Sequence, residues 1–290
     1  MPHSAIDTLG GDYAVAIHDA GAANMIAAWV AAAKRPPKVV IAQGPARAIW
    51  EQRFGEASIK NDVQRIAEAG ILISGTGWAS DLEHRARIEA AKRRIMSIAV
   101  VDHWVNYAMR FERKGVVQLP DAIWVGDADA LRIAHGAFPK VKIAQYPNLY
   151  LSEQARAAGP SPEAGDILFL AEPARSDWGR EEPGEFQALD HFAERRGAAG
   201  IRSDTPMRLR PHPSDPDGKY DDWIARHPAI SLDRSPNMAA ALRGARWVVG
   251  LNSAGLVIAL EAGRAVICAL PAHAPRCVLP HTGIIRLADL

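Results

Sequence analysis

The 290-residue chain sets 34 Lys and Arg against 33 Asp and Glu, a formal net charge of +1, with 48% hydrophobic and 23% charged residues. These are the proportions of a soluble globular enzyme with a substantial core, long enough for one large domain or two. The near-zero charge gives no support to non-specific nucleic-acid binding, which shows a basic excess.

The predicted elements alternate along the chain. Tyr13–Ile17 reads as a strand followed by a turn over 18–24, and Met25–Ala33 as a helix with Ile26, Trp29 and Val30 at helical spacing. Val39–Ala42 is a strand stopped by Gly44-Pro45. Helix 63–69, strand 71–73, helix 81–94 and strand 96–101 follow, then strands 122–125 and 142–144. The stretch 152–165, with Gly159-Pro-Ser-Pro162, reads as a linker. Strand 167–170 opens a second half with elements at 186–192, 207–209 and 223–225, closing on strands 247–251 and 266–270. Such alternation predicts an α/β protein with parallel sheets covered on both faces. Two Rossmann-like domains are expected, 1–150 and 166–290, facing each other across a cleft. In open α/β sheets ligands bind outside the carboxyl ends of the strands, where the polar clusters fall.

Two of those clusters lie in the second half. Asn252-Ser253-Ala254-Gly255 sits where a buried strand hands over to a helix, so free N–H groups and the positive end of the helix dipole suit a phosphate. An ordinary β–α connection is the alternative. Upstream, Arg210-Pro-His212-Pro213 ends another strand; the prolines fix the direction of His212, which otherwise is a turn histidine solvating a strand end. Arg210 is equally readable as a surface strand residue. Glu261, inside an apolar helix, is read as a buried carboxylate that Arg264, Arg246 or a sugar hydroxyl must satisfy.

Three turns compete in the first half. His18-Asp19 follows the first strand, and Gly75-Thr-Gly77-Trp78 follows another, lacking the Walker lysine and the full dinucleotide fingerprint. Helix capping by Ser80 or Asp81 is the plain explanation of that second turn. Asp102-His103-Trp104-Val-Asn106-Tyr107 is the most concentrated, and core packing accounts for Trp104 but not for Asp102, His103 and Asn106 beside it. Asp127-Ala-Asp129 has the spacing of a metal-binding acidic pair but opens a helix, where capping is the commoner role. No metal site is expected.

The segment Ser253-Ala-Gly-Leu-Val-Ile-Ala-Leu-Glu261 resembles the donor-nucleotide segment of the GT-B glycosyltransferase superfamily, and Arg210-Pro-His212-Pro213 resembles the His-Pro element of bacterial sialyltransferases and related capsule transferases. The resemblance implies that a glycine-containing turn meets the diphosphate, that Glu261 holds the ribose hydroxyls and that His212 meets the donor phosphate. Ser253 stands where retaining enzymes often carry a second glutamate, a departure that weakens transfer of a retaining mechanism.

Together these features predict a glycosyltransferase moving a sugar from a nucleotide-activated donor, CMP-linked by the resemblance, to a surface-glycan or glycoconjugate acceptor. Arg210, His212, Asn252, Ser253, Ala254, Gly255 and Glu261 bind the donor. His18, Asp19, Gly77, Trp78, Trp104, Asn106 and Tyr107 bind the acceptor. Asp102, His103 and His212 are catalytic, Asp102 as base or acceptor holder, with Asp19 or Asp81 as substitutes. No cofactor is expected beyond the nucleotide sugar as co-substrate. The alternatives are a nucleotide-sugar hydrolase or 2-epimerase on the same fold, against which the aromatic cluster counts by suggesting a second organic ligand, and a non-catalytic nucleotide-sugar-binding protein.

Cys268 and Cys277 make no metal motif; Cys268 falls in an apolar strand, where a buried thiol is expected rather than a disulfide, and a reducing compartment fits. With no leader and no run of about 18 apolar residues, the expected location is the cytoplasm. Peripheral membrane contact stays open.

Overall fold

The computed structural model describes residues 4–56, 59–174 and 176–290. The chain divides into two compact units, Met1–Tyr150 and Leu151–Leu290.

Unit 1 is built on β1 (Tyr13–Ile17), α1 (Ala20–Ala31), β2 (Val39–Ala42), α2 (Gly44–Phe54), β3 (Ile71–Ser74), α3 (Leu82–Arg93) and β4 (Met96–Val101). The small antiparallel hairpin β5 (Glu112–Arg113) and β6 (Val116–Val117) follows, then β7 (Ala122–Val125), α4 (Ala128–Ala137) and β8 (Lys142–Gln145). Six strands form one parallel sheet in the order β2-β1-β3-β4-β7-β8. Every residue of β1 is buried, as expected of a parallel strand covered on both faces. Side chains of a strand alternate between faces. Tyr13, Val15 and Ile17 accordingly join α1 in one core, and Ala14 and Ala16 join Leu82, Ala86 and Ala90 of α3 in another. Trp29 anchors the first, edge-on to Trp124 at 5.8 Å, its indole N–H donating to the Pro147 carbonyl at 2.8 Å.

Unit 2 repeats the plan after α5 (Leu149–Ala158), which crosses the unit boundary. It contains β9 (Asp166–Leu170), α6 (Gly184–Arg195), β10 (Met207–Arg210), α7 (Asp221–Ala225), β11 (Ile230–Leu232), α8 (Met238–Leu242), β12 (Ala245–Gly250), α9 (Ala254–Glu261), β13 (Ala265–Cys268) and β14 (Ile284–Arg286). Its six strands are again all parallel, ordered β11-β10-β9-β12-β13-β14. The fold class is therefore α/β with two parallel six-stranded sheets. Parallel strands put all their carboxyl ends on one edge of each sheet, and the loops there carry the polar residues.

Several local expectations need correction. Gly44-Pro45 starts a helix instead of merely stopping a strand: Gly44 turns the chain at φ +53°, and Pro45, with φ fixed near the helical value, occupies the first turn of α2. The expected linker 152–165 is helical to Ala158, because Leu149–Ala158 is made of good helix formers and the Gly/Pro residues begin only at Gly159. Helix α1 begins at Ala20, so most of the expected turn over 18–24 is helical. Elements β11, α8 and β14 have three to five residues, too short for a periodic signal.

Candidate functional site

At the carboxyl edge of the unit 1 sheet four loops converge. His18 and Asp19 follow β1, Gly75–Gly77 follow β3, Asp102 follows β4, and Glu83 reaches in from the first turn of α3. His18 Nδ1 lies 2.7 Å from Asp19 Oδ1, and the His18 backbone N–H donates to Glu83 Oε1 at 3.0 Å. Asp19 stands at the N-cap of α1 without capping it through its side chain, so its carboxylate serves the imidazole instead. Arg110, from the 3₁₀ turn Ala108–Phe111, donates to Asp102 Oδ1 at 3.2 Å and Thr76 Oγ1 at 3.3 Å, with its guanidinium over the Trp78 ring at 5.3 Å.

Glycines make this convergence sterically possible. A Cβ on Gly21 would run into the Asp102 carboxylate, on Gly77 into that of Asp19, and on Gly75 into that of Glu83. One on Gly44 would meet the His18 ring at Nε2, 2.5 Å away. Each acid or imidazole is thus pressed against bare backbone, where any larger residue would displace it.

The electrostatics single out Glu83. It is wholly buried, Oε2 has no hydrogen-bond partner, and burial raises its carboxyl from 4.5 to about 8, with Asp19 and Asp102 pushing the same way and Arg87 opposing. Arg87 does not discharge it, spending Nη1 on the Gly75 carbonyl at 2.9 Å and Ser74 Oγ at 3.1 Å. Glu83 is therefore a neutral acid at pH 7, beside partly exposed Asp19 and Asp102. Such a group holds a proton beside the side chains of Asp19 and Asp102.

The rest of the 102–107 run is structural. Trp104 and Tyr107 are buried, the indole N–H donating to Asp127 Oδ2 at 2.8 Å and the phenol to the Ala130 carbonyl at 3.3 Å. They pack in the core because each ring finds both apolar cover and a partner for its polar tip, so they form no exposed stacking platform. Trp78 is instead 47% exposed. His103 Nδ1 accepts the Trp104 backbone N–H at 3.0 Å, and burial lowers its pKa, keeping the ring neutral. Asn106 is exposed with φ +60°, a left-handed turn position that asparagine tolerates. Asp127 caps α4 by accepting from Ala130 N at 2.7 Å.

The unit 2 edge is different in character. A cavity of about 340 Å³ opens beyond β10, with Arg210, His212, Asp215, Lys219 and Ser235 in its walls. Arg210 Nη1 is paired with Asp233 Oδ2 at 2.5 Å, and Arg208 binds the other oxygen at 2.6 Å while also pairing with Asp166. His212 is turned onto Ser214, Nδ1 to Oγ 2.7 Å. At the 252–255 turn, Ser253 caps α9, its Oγ accepting from Gly255 N at 3.1 Å. The Asn252 N–H is taken by Glu172 Oε2 at 2.9 Å, and its side chain accepts from Val278 N at 2.9 Å. Gly255 is small for packing and not for anion approach: its Cβ would meet Leu170 Cδ1 at 2.7 Å and Met238 Cε at 3.1 Å. Ala254 is the exposed residue of this turn.

Glu261 corrects an expectation. It is exposed at the last position of α9, not buried within it, and meets Ser152 Oγ at 3.4 Å. Neither arginine neutralises it; Arg264 is buried on the carbonyls of Gly159 and Leu242, and Arg246 binds the Glu163 carbonyl. The eight residues of α9 put Glu261 about 12 Å from the turn that precedes the helix.

Glu83, Arg110, Glu172 and Asp233 escaped the sequence reading. Glu83 sits among charged residues in a helix, and the packing of that helix on the strands buries it together with His84, Arg87 and Glu89. Among the described residues no group of three or more His, Cys, Asp or Glu side chains is disposed to hold a metal ion, and no helix is long and apolar enough to cross a membrane.

No family model matches the chain, and no curated protein does. Solved structures do. A putative UDP-N-acetylglucosamine 2-epimerase from Listeria monocytogenes superposes with a TM-score of 0.62 at 13% identity, covering 88% of this chain and 78% of the other. The UDP-GlcNAc 2-epimerase of Neisseria meningitidis, bound to UDP-GlcNAc, gives 0.58 at 11%, covering 89% and 82%. S. aureus MnaA in a co-structure with UDP gives 0.59 at 11%, covering 89% and 79%. The fold is GT-B-like. The likeness to His-Pro transferases rests on Arg210-Pro-His212-Pro213 alone, and the similar structures are 2-epimerases.

Proposed function

We propose that the chain is a nucleotide-sugar 2-epimerase acting on a UDP-linked 2-acetamido sugar. The observation that carries this reading is the glycine-cradled cluster of His18, Asp19, Glu83 and Asp102, which sets a neutral buried acid beside two carboxylates and an imidazole. The shared fold with structures that hold UDP and UDP-GlcNAc supports the choice of substrate class.

Inversion at C2 requires its hydrogen to leave as a proton and a proton to return on the opposite face. The C2 hydrogen becomes acidic when the C1–O bond to the diphosphate breaks in the same step. The C–H electron pair then forms a C1=C2 bond, and the negative charge passes to the nucleotide. In the return step C2 takes a proton on the opposite face while the diphosphate oxygen adds back to C1, which restores the C1–O bond. A base near the sugar and preorganised donors near the phosphate both lower that barrier. We assign proton transfer to Asp102 and Asp19, with His18 carrying protons for Asp19, Glu83 biasing the cluster and Arg110 orienting Asp102. The phosphate is assigned to the Ser253–Ala254 helix start and to His212 and Arg210. Glu261, exposed and distant from the turn, is left out of the donor set. Incubation with UDP-GlcNAc and separation of the products tests the reading: its 2-epimer should accumulate to a fixed ratio from either direction.

Glycosyl transfer is the second reading, and exposed Trp78 beside Arg110 is the feature that favours it, since a sugar stacks on such a ring. It requires donor consumption that depends on an added acceptor.

A further inference from the structure

The two cysteines of the chain lie nine residues apart, Cys268 ending β13 and Cys277 in the irregular stretch before β14. The fold brings them together. Both thiols are free, and both reach the same Leu251 carbonyl, at 3.2 Å from Cys268 Sγ and 3.7 Å from Cys277 Sγ. Their access differs. Cys268 is 1% exposed, whereas Cys277 is partly exposed in a recess of about 120 Å³ lined also by Pro271, Arg276 and Arg286.

We propose that Cys268 and Cys277 form a redox-modification site that takes a low-molecular-weight disulfide as its oxidant. Cys277 is the attacking group. The adjoining Cys268 thiol is the main cause that lowers the Cys277 thiol to about 7, with Arg286 adding to it and burial opposing, and the thiolate is the nucleophile. Cys268 is held as the thiol by the neighbouring Cys277 and by burial. In the first step the Cys277 thiolate attacks one sulfur of the oxidant, forming a mixed disulfide and releasing one thiolate, which takes up a proton. In the second, Cys268 loses its proton and attacks the Cys277 sulfur, expelling the other half as a second thiol. Two protein thiols become one disulfide, and the oxidant is reduced to two thiols.

The modification would act on the neighbouring turn. The Leu251 carbonyl loses both thiol contacts, and Val278, next to Cys277, is tied through its N–H to the Asn252 side chain. On the reading of Asn252–Gly255 as the phosphate turn, which this consequence assumes, oxidation weakens nucleotide binding.

The test exposes the folded full chain to oxidised glutathione, then alkylates and weighs it. The expected wild-type product takes up no alkylating agent, carries no glutathione and is about 2 Da lighter. Cys268→Ser should stop at a glutathione adduct on Cys277, and Cys277→Ser should stay fully alkylatable once unfolded. Wild-type protein that keeps both thiols, or that stops at the mixed disulfide, overturns the proposal whether or not the variants fold. UDP affinity, measured separately on reduced and oxidised protein, should fall at least about tenfold. Unchanged affinity on oxidation refutes the coupling. A reduced protein that does not bind UDP contradicts the phosphate-turn reading and leaves the disulfide to the mass measurement.

Discussion

Glu83→Gln offers a direct test of the buried acid in unit 1. Each tenfold change in proton affinity is worth about 1.4 kcal/mol, so a rise from 4.5 to about 8 amounts to about 5 kcal/mol for a carboxyl that titrates freely once unfolded. The folded-state pKa lies above the unfolded one, so the native protein binds the extra proton. Stability from this group is complete below about pH 4.5, falls as pH rises, and is lost above about pH 8. Glutamine copies the neutral form, keeps an oxygen for the His18 N–H and cannot ionise. Urea unfolding followed from pH 5 to pH 9 should show the variant within about 1 kcal/mol of wild type at the acid end. It should be the more stable protein, by a few kcal/mol, at the alkaline end. Parallel pH profiles for the two proteins would refute the assignment of a neutral buried carboxyl.

Other substitutions probe the same account. Asp102→Asn should lower kcat about a hundredfold, with UDP affinity measured by calorimetry little changed. Gly21→Ala places a methyl where the Asp102 carboxylate lies; a comparable rate loss and about 1–3 kcal/mol lower stability in urea melts should follow. Ser253→Ala removes the α9 cap, costing about 1 kcal/mol of stability and weakening UDP binding in the same calorimetric titration. His212→Ala should fold normally, since the residue lies on an exposed loop, yet lose most turnover.

The sheet strands were legible because parallel, doubly covered strands read as short apolar runs; β1, β2 and β4 fall where the runs lie. What periodicity could not supply was the orientation of polar residues between them. The run 102–107 looks like one site in sequence. In the fold it separates: Asp102 pairs with Arg110, Trp104 donates to Asp127, and Asn106 takes an exposed left-handed turn position. Glu83 shows the converse. Its neighbours are charged and its spacing unremarkable, and it becomes distinctive only when Gly75 and His18 close over it. Glu261 misled through its apolar neighbours, since the helix ends at that residue and so exposes it.

The central claim is that the unit 1 cluster moves a proton at C2 of a nucleotide sugar. Incubating the protein with UDP-GlcNAc in deuterated water and following the C2 proton signal by NMR tests it most directly. Deuterium should enter C2 of substrate and epimer alike, and Asp102→Asn should suppress the exchange. A C2 proton that persists while the protein binds UDP-GlcNAc would contradict the account.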